Sequence, residues 1–279
     1  VNIGDVILTT ELMKMTTEHF APINGTLSSV GVGTSDMVET DQIIAQIKPS
    51  DAGKAPMPKQ DRQKGDHPAL SELKARRHAI SDAGRAEQVA KRHAAGGRSA
   101  RENIDDFLDE GSFSEIGAHV IAAQRSTAKE SDLIDRSAAD GVVVGTGMVG
   151  DVSVAVIAVD YSVMAGTQGY FHHHKVDRVL EIASRRGLPL ILYPEGGGGR
   201  PGDTDFVGVA GLDCHTFAAM ARLSGQVPLV GIGSGRCFAG NAALLGCCDV
   251  IIATKDASIG MAGPAMIEGG GLGRFTPEQ

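Results

Sequence analysis

The sequence predicts two unlike folding units, a small all-β segment over residues 1–48 and a larger α/β domain over 67–279, joined by a linker at 49–66. Three observations lead there. The pattern Val1-Asn2-Ile3-Gly4-Asp5-Val6-Ile7-Leu8 recurs as Val38-Glu39-Thr40-Asp41-Gln42-Ile43-Ile44-Ala45, an internal repeat. A stretch rich in Pro, Gly and charge follows from Lys48 to Lys59. Beyond Gly111, short β-rich runs alternate with helical patterns and glycine-rich turns, the order of an α/β fold.

The elements follow in turn. Two similar half-units facing each other make a small flattened β-barrel, with a hairpin tip between Val6-Ile7-Leu8 and Phe20-Ala21-Pro22. A flexible linker running from Lys48 to Asp66 would span roughly 24 Å, enough for a tethered segment to travel. From Ala69 to Leu108 the pattern is helical, broken near Ser81-Asp82-Ala83-Gly84. Ser99 followed by Glu102 is a capping box opening a helix with Ile104, Phe107 and Leu108 on its apolar face, and Gly111 is placed to end it. Val152 to Val159 reads as a buried strand. A helix with Val176, Val179, Leu180 and Ala183 on one face ends at Gly187. Strands at Leu190-Ile191-Leu192, Leu229-Val230 and Val250-Ile251-Ile252 alternate with helices at Thr216 to Leu223 and Asn241 to Leu245.

Composition narrows the function classes. A net charge of −8 argues against nucleic acid or an acidic membrane as the main partner. No signal peptide is visible, and no apolar run approaches the ~20 residues that span a bilayer. The cysteines, Cys214, Cys237, Cys247 and Cys248, form no CxxC pair, so neither a zinc ribbon nor a disulfide framework is implied, and reduced cytoplasmic thiols are the plain reading. His172-His173-His174 sits on a helix, where consecutive side chains diverge by about 100° and do not converge on one ion. Gly231-Ile232-Gly233-Ser234-Gly235 follows a strand as a dinucleotide loop does, yet Arg236 replaces its third glycine. The basic run Arg76, Arg77, Arg85, Arg92, Arg98 and Arg101 is either the wet face of helices or a draw for the phosphates of an anionic cofactor.

Two sets of motifs carry the chemistry. Glu11-Leu12-Met13-Lys14-Met15 resembles the Glu-Ala-Met-Lys-Met signature of biotin carboxyl carrier domains, with Ala21-Pro22 and Gly25 in the matching places; the bland alternative is a solvated lysine between core methionines. Asp160-Tyr161-Ser162-Val163-Met164-Ala165-Gly166-Thr167-Gln168-Gly169, followed by Lys175, resembles a segment of biotin-dependent acyl-CoA carboxyltransferases. Ser99 to Glu115 resembles that family's entry helix. Pro194-Glu195-Gly196-Gly197-Gly198-Gly199-Arg200 falls where the family has Asp-Ser-Gly-Gly-Ala-Arg, Gly235 to Asn241 where it has Gly-Pro-Cys-Ala-Gly-Gly-Ala, and Gly260 to Pro264 resembles its Gly-Pro segment.

The resemblance implies a crotonase-like α/β transferase behind a biotinyl β carrier. It implies biotin covalently held on Lys14, and carboxyl transfer from carboxybiotin to the α-carbon of an acyl-CoA (acetyl, propionyl or longer) through a thioester enolate. Gly197 and Gly198 occupy the aligned oxyanion-hole positions, and Gly166, Gly169 and Gly240 are the glycines expected to let coenzyme A pass close to the backbone. No metal is implied. ATP enters only through a separate biotin carboxylase domain or subunit, and a biotin protein ligase, the remaining transferase half and a homo-oligomeric, cytoplasmic setting complete the expectation. By the same resemblance both ends look cut, leaving this piece alone of doubtful activity. A biotin-dependent acyl-CoA decarboxylase and a non-catalytic carrier module are the alternatives.

Overall fold

The computed structural model describes residues 1–12, 15–50, 67–206 and 214–276, and the chain divides into two compact units, Val1–Leu70 and Ser71–Gln279. In the first unit, β1 (Val6–Leu12) pairs antiparallel with β2 (Met15–Phe20), Leu12 opposite Met15, and β3 (Gly25–Val30) pairs antiparallel with β4 (Ala45–Pro49). Each half of the repeat thus leads into a strand. The second half is strand only at Ala45, residues 38–44 forming the turn and loop before it. Lys14 and Met13 lie outside the described residues, as do residues 51–66 of the expected linker.

The helical stretch is three helices, α1 (Pro68–Ala79), α2 (Ala86–Ala94) and α3 (Ala100–Phe107). The break at residues 80–85 falls where the sequence places it, and a second at 95–99 ends where the expected capping box opens a new helix. Ser99 caps α3 through the full capping box with Glu102. The helix ends four residues before Gly111, because Leu108 turns extended (φ −93°, ψ 154°) and buries its side chain in the core.

Chain order then runs β5 (Ser114–Ile116), α4 (Glu130–Arg136), β6 (Val142–Val149), β7 (Val152–Val159), β8 (Thr167–Gln168), α5 (Tyr170–Arg186), β9 (Leu190–Tyr193), β10 (Gly198–Gly199), α6 (Thr216–Leu223), β11 (Leu229–Gly233), β12 (Arg236–Phe238), α7 (Gly240–Gly246), β13 (Val250–Ala253), β14 (Ser258–Gly260) and α8 (Pro264–Gly269). The main sheet has the order β13-β11-β9-β7-β6-β5, parallel from β13 to β7 and antiparallel across β7-β6-β5.

The period of two along these strands sorts the core into two layers. Val142, Val144, Ala155, Ile157 and Val159 face Val176, Val179, Leu180 and Ala183 of α5 and Met220 and Leu223 of α6. Val143, Val154, Val156 and Ala158 face Ala100 and Ile104 of α3. Each fully buried aliphatic side chain contributes about 1.5–3 kcal/mol. Helix α5 stops where Gly187 adopts the left-handed conformation (φ 64°) and donates its N–H to Ala183 O.

Candidate active site at a glycine turn

Four short segments meet beside the carboxyl ends of β7, β9 and β11. The 160–169 segment leaves β7, residues 194–200 leave β9, residues 234–241 follow β11, and β14 closes the group by pairing parallel with β12. Strand β10 pairs parallel with β8, which sets Gly198 opposite Thr167 and Gly199 opposite Gln168. Gly196 donates its N–H to Arg236 O (2.8 Å) and accepts from Phe238 N–H (2.8 Å). The glycine turn is therefore clamped between two neighbouring segments by its own backbone.

A cleft of ≈ 370 Å³ opens beside it, lined by Tyr161, Ala165, Gly196, Gly197, Phe238 and Pro264 among others. Of the expected glycines of this unit Gly197 lines the cleft, while Gly166, Gly169, Gly198 and Gly240 lie in the segments packed around it and are not among its lining residues. The Gly197 N–H donates to Ala165 O at 3.1 Å. Gly198 has φ +86°, and a Cβ on it would stand 2.6 Å from the Ala239 Cβ.

The three glycines expected to pass coenzyme A are close to the protein itself. A Cβ on Gly166 would lie 2.4 Å from Glu195 O, one on Gly169 1.7 Å from Arg200 Nη2, and one on Gly240 2.3 Å from Gln168 Oε1. They let the walls close on one another. Asn241 ties the same walls, donating to Gly166 O (3.1 Å) and accepting from Gln168 Nε2 (2.6 Å).

Buried ion pairs anchor the turn, and sequence reading assigned them no role. Arg200 is clasped by Asp203, Nε to Oδ1 at 2.8 Å and Nη2 to Oδ2 at 2.9 Å, and its Nη2 also donates to Asp140 Oδ1. Burial drives the Asp140 carboxyl above its ordinary value despite Arg200. For Asp203 burial pulls the same way, but the hydrogen bond and charge of Arg200 outweigh it and hold the carboxyl low. Arg85 reaches Asp160 Oδ2 (2.6 Å) and Ser162 Oγ (2.9 Å). Lys175 is buried with its Nζ donating to Ala139 O (2.7 Å) and to Val142 O, and burial pushes its pKa down to about 8. Asp160, Ser162, Lys175 and Arg200 stand in the quoted motifs, but their pairings carry no local signal apart from the short Arg200-x-x-Asp203 spacing, since the other partners lie far along the chain.

The three histidines have three surroundings. His172 is buried with both ring nitrogens unpartnered, His173 Nδ1 lies 2.9 Å from Thr216 Oγ1, and the His174 ring packs 4.6 Å from Tyr170. Among the described residues no helix is long and apolar enough to cross a membrane.

The family model described as Carboxyl transferase domain matches residues 91–272, which contain every segment of this site. The chain belongs to the carboxyl transferase domain family. A second model, described as Biotin-requiring enzyme, matches residues 1–47, so the biotinyl carrier and crotonase-like transferase expected from the motifs are the fold classes of the two units. The carboxyl transferase part is 38% identical over 171 residues to the propionyl-CoA carboxylase beta chain of Saccharopolyspora erythraea, covering 61% of this chain and 30% of that protein. It is 32% identical over 201 residues to the methylmalonyl-CoA carboxyltransferase 12S subunit of Propionibacterium freudenreichii subsp. shermanii, covering 71% and 37%. Among solved structures, a single-chain, multi-domain long-chain acyl-CoA carboxylase matches all of this chain and 27% of its own at 47% identity and TM-score 0.72. The transcarboxylase 12S crystal structure with methylmalonyl-coenzyme A bound covers 75% of this chain and 40% of its own, at 30% identity and TM-score 0.63. The chain spans about a third of the length of the curated relatives it matches.

Proposed function

We propose that this chain carries the biotin-bearing segment and a thioester-binding part of a carboxyltransferase that moves a carboxyl group from biotin to the α-carbon of an acyl-CoA. The observation that carries the reading is the occurrence, in one chain, of a biotin-family β segment and a carboxyl transferase domain whose glycine turn lines an open cleft. The flanks of the lysine motif fit the group, since β1 and β2 pair up to Leu12 and Met15 and leave only residues 13 and 14 between them. Lys14 would hold biotin, which supplies the carboxyl group to be transferred.

The chain's own contribution is electrostatic. Removing the α-proton of a thioester puts negative charge on its oxygen, and a backbone N–H aimed at that oxygen stabilises the charge as it develops. Gly197 and Gly198 are the donors we assign. The Gly197 N–H sits at the cleft on a backbone carbonyl, Ala165 O, so the thioester oxygen takes this donor over from a neutral acceptor. A charged acceptor forms the stronger bond. We place the coenzyme A moiety beside the segments that carry Gly166, Gly169 and Gly240, glycines whose part is to let those segments pack against one another and form the cleft wall. A biotin carboxylase using ATP, a biotin protein ligase, the rest of the transferase and further copies of the chain are the partners of this reading, and the cytoplasm, which supplies acyl-CoA and ATP, is our assigned location.

Coexpression with a biotin protein ligase is expected to add one biotin mass to the chain and none to Lys14→Ala. A wild type that stays unmodified, or a variant that still gains the mass, refutes the attachment site. Calorimetric titration of the folded chain with acetyl-CoA and propionyl-CoA is expected to show weak, saturable heats. Heats absent for both thioesters would remove the transferase half of the proposal.

A further inference from the structure

Helix α2 is joined to both walls of the cleft through one side chain. Arg92 Nη2 donates to Glu195 Oε2 at 2.5 Å, and the two side chains are only 15% and 12% exposed. The guanidinium carbon of Arg92 also stands 5.3 Å from the centre of the Tyr161 ring. Tyr161 lines the cleft, and Glu195 immediately precedes Gly196, whose N–H and carbonyl fix the glycine turn to β12. Gly235 (φ +72°) also packs against the Glu195 carboxylate, where a Cβ would stand 2.3 Å from Oε1. Arg92 itself is held by the α2–α3 connection, its Nε and Nη2 each donating to Arg98 O at 3.3 Å.

Arg92 lines a separate cavity of ≈ 390 Å³ together with Glu195, Arg98 and Tyr193, and it is not among the residues lining the thioester cleft. It therefore acts through others. We propose that Arg92 is a positioning residue for the transferase reaction, setting the glycine turn through Glu195 and the facing wall through Tyr161. This rests on the functional reading above. It also gives a reason for Glu195, which stands where the resembled motif carries Asp: the carboxylate one methylene longer reaches an arginine 103 residues away in sequence. Burial pushes Glu195 toward its neutral form, and Arg92 opposes that shift.

The test uses Arg92→Met, Glu195→Gln, the double variant and Arg92→Lys. Backbone amide exchange on the chain itself comes first. Arg92→Met is expected to speed exchange at residues 195–197 and 161–166 while α5 keeps its wild-type rates, and adding Glu195→Gln is expected to restore part of the protection, because a lone buried charge is worse than none. In the assembled enzyme, Arg92→Met is expected to lower kcat by about 10-fold or more with KM for acyl-CoA within about 2-fold, since small misplacements of a reacting geometry cost rate rather than binding. Arg92→Lys is expected to recover only part, having lost the planar fork. Unchanged exchange at residues 195–197 in a folded Arg92→Met overturns the proposal. So does a raised KM at normal kcat, which would make Arg92 a substrate contact, or single losses that simply add in the double variant. An unsubstituted enzyme that transfers no carboxyl group sinks the functional reading instead, and amide exchange still decides whether Arg92 holds the turn.

Discussion

Arg200→Met is expected to lower the stability of the transferase unit by about 3–5 kcal/mol, because it strips the counter-charge from buried carboxylates. Asp140 and Asp203 have fully buried side chains, and Arg200 is the guanidinium they share. Gln124 Nε2 and the Tyr170 N–H still donate to Asp203, and the His172 N–H to Asp140, so the carboxylates keep hydrogen bonds but lose the guanidinium that pairs with both.

The direction with pH follows. Asp140 is raised above 3.8 in the fold, so the folded state binds the more protons and its cost grows as pH climbs past that value. Asp203 is held below 3.8 chiefly by Arg200 against its burial, a contribution present above 3.8 and lost in the variant. Losing Arg200 raises Asp140 further, so the deficit grows as pH climbs above 3.8 and is smaller toward about pH 5, while the Asp203 part is constant over that range and fades only below 3.8. Urea unfolding of the two proteins at about pH 5 and about pH 8 measures it. A deficit below about 1 kcal/mol at the higher pH, or one that grows on acidification, contradicts the role given to Arg200.

Gly197→Pro in the assembled enzyme is expected to reduce kcat by about 100- to 1,000-fold, the usual loss for one oxyanion donor, while KM for the thioester moves far less. Proline deletes the Gly197 N–H and with it the hydrogen bond to Ala165 O. Gly197 lies outside the left-handed region, and a Cβ there meets only ordinary contacts, Thr167 Cγ2 at 3.4 Å and Ala165 O at 3.5 Å. Gly198 offers no such probe, since its φ of +86° excludes proline whatever its N–H does. Gly197→Ala, which keeps the N–H, is the control and is expected to retain most of kcat. A folded Gly197→Pro enzyme with near-normal kcat would move the oxyanion donor elsewhere.

Periodic segments were legible in the sequence. Val152 to Val159 alternates between two helix-covered faces and was read to the residue, as was α6, and Gly187 ends α5 as expected. Strand β6 was missed because Gly145 and Gly147 look like breakers. Their neighbours demand them, since a Cβ would stand 2.2 Å from Ser114 O at Gly145 and 2.5 Å from Leu108 Cδ1 at Gly147. The glycine turn was placed by its motif. Its supports were not, because Arg92 finds Glu195 at a separation of 103 residues, Arg85 finds Asp160 at 75 and Arg200 finds Asp140 at 60, distances over which no local pattern operates.

That remoteness has a kinetic side. Strands β6 and β7 form a hairpin whose pairing begins at Val149 and Val152, a contact that closes a very short loop. The cleft has nothing comparable, for Asn241 reaches Gly166 across 75 residues and Gln168 across 73. Loop closure on that scale costs chain entropy before any contact repays it, so segments joined this way form late in folding and open early in unfolding. The hairpin can nucleate alone, whereas the glycine turn exists only once the parallel strands have been laid side by side. Any fluctuation that parts β9 from β11 therefore dismantles the cleft while most of the secondary structure survives.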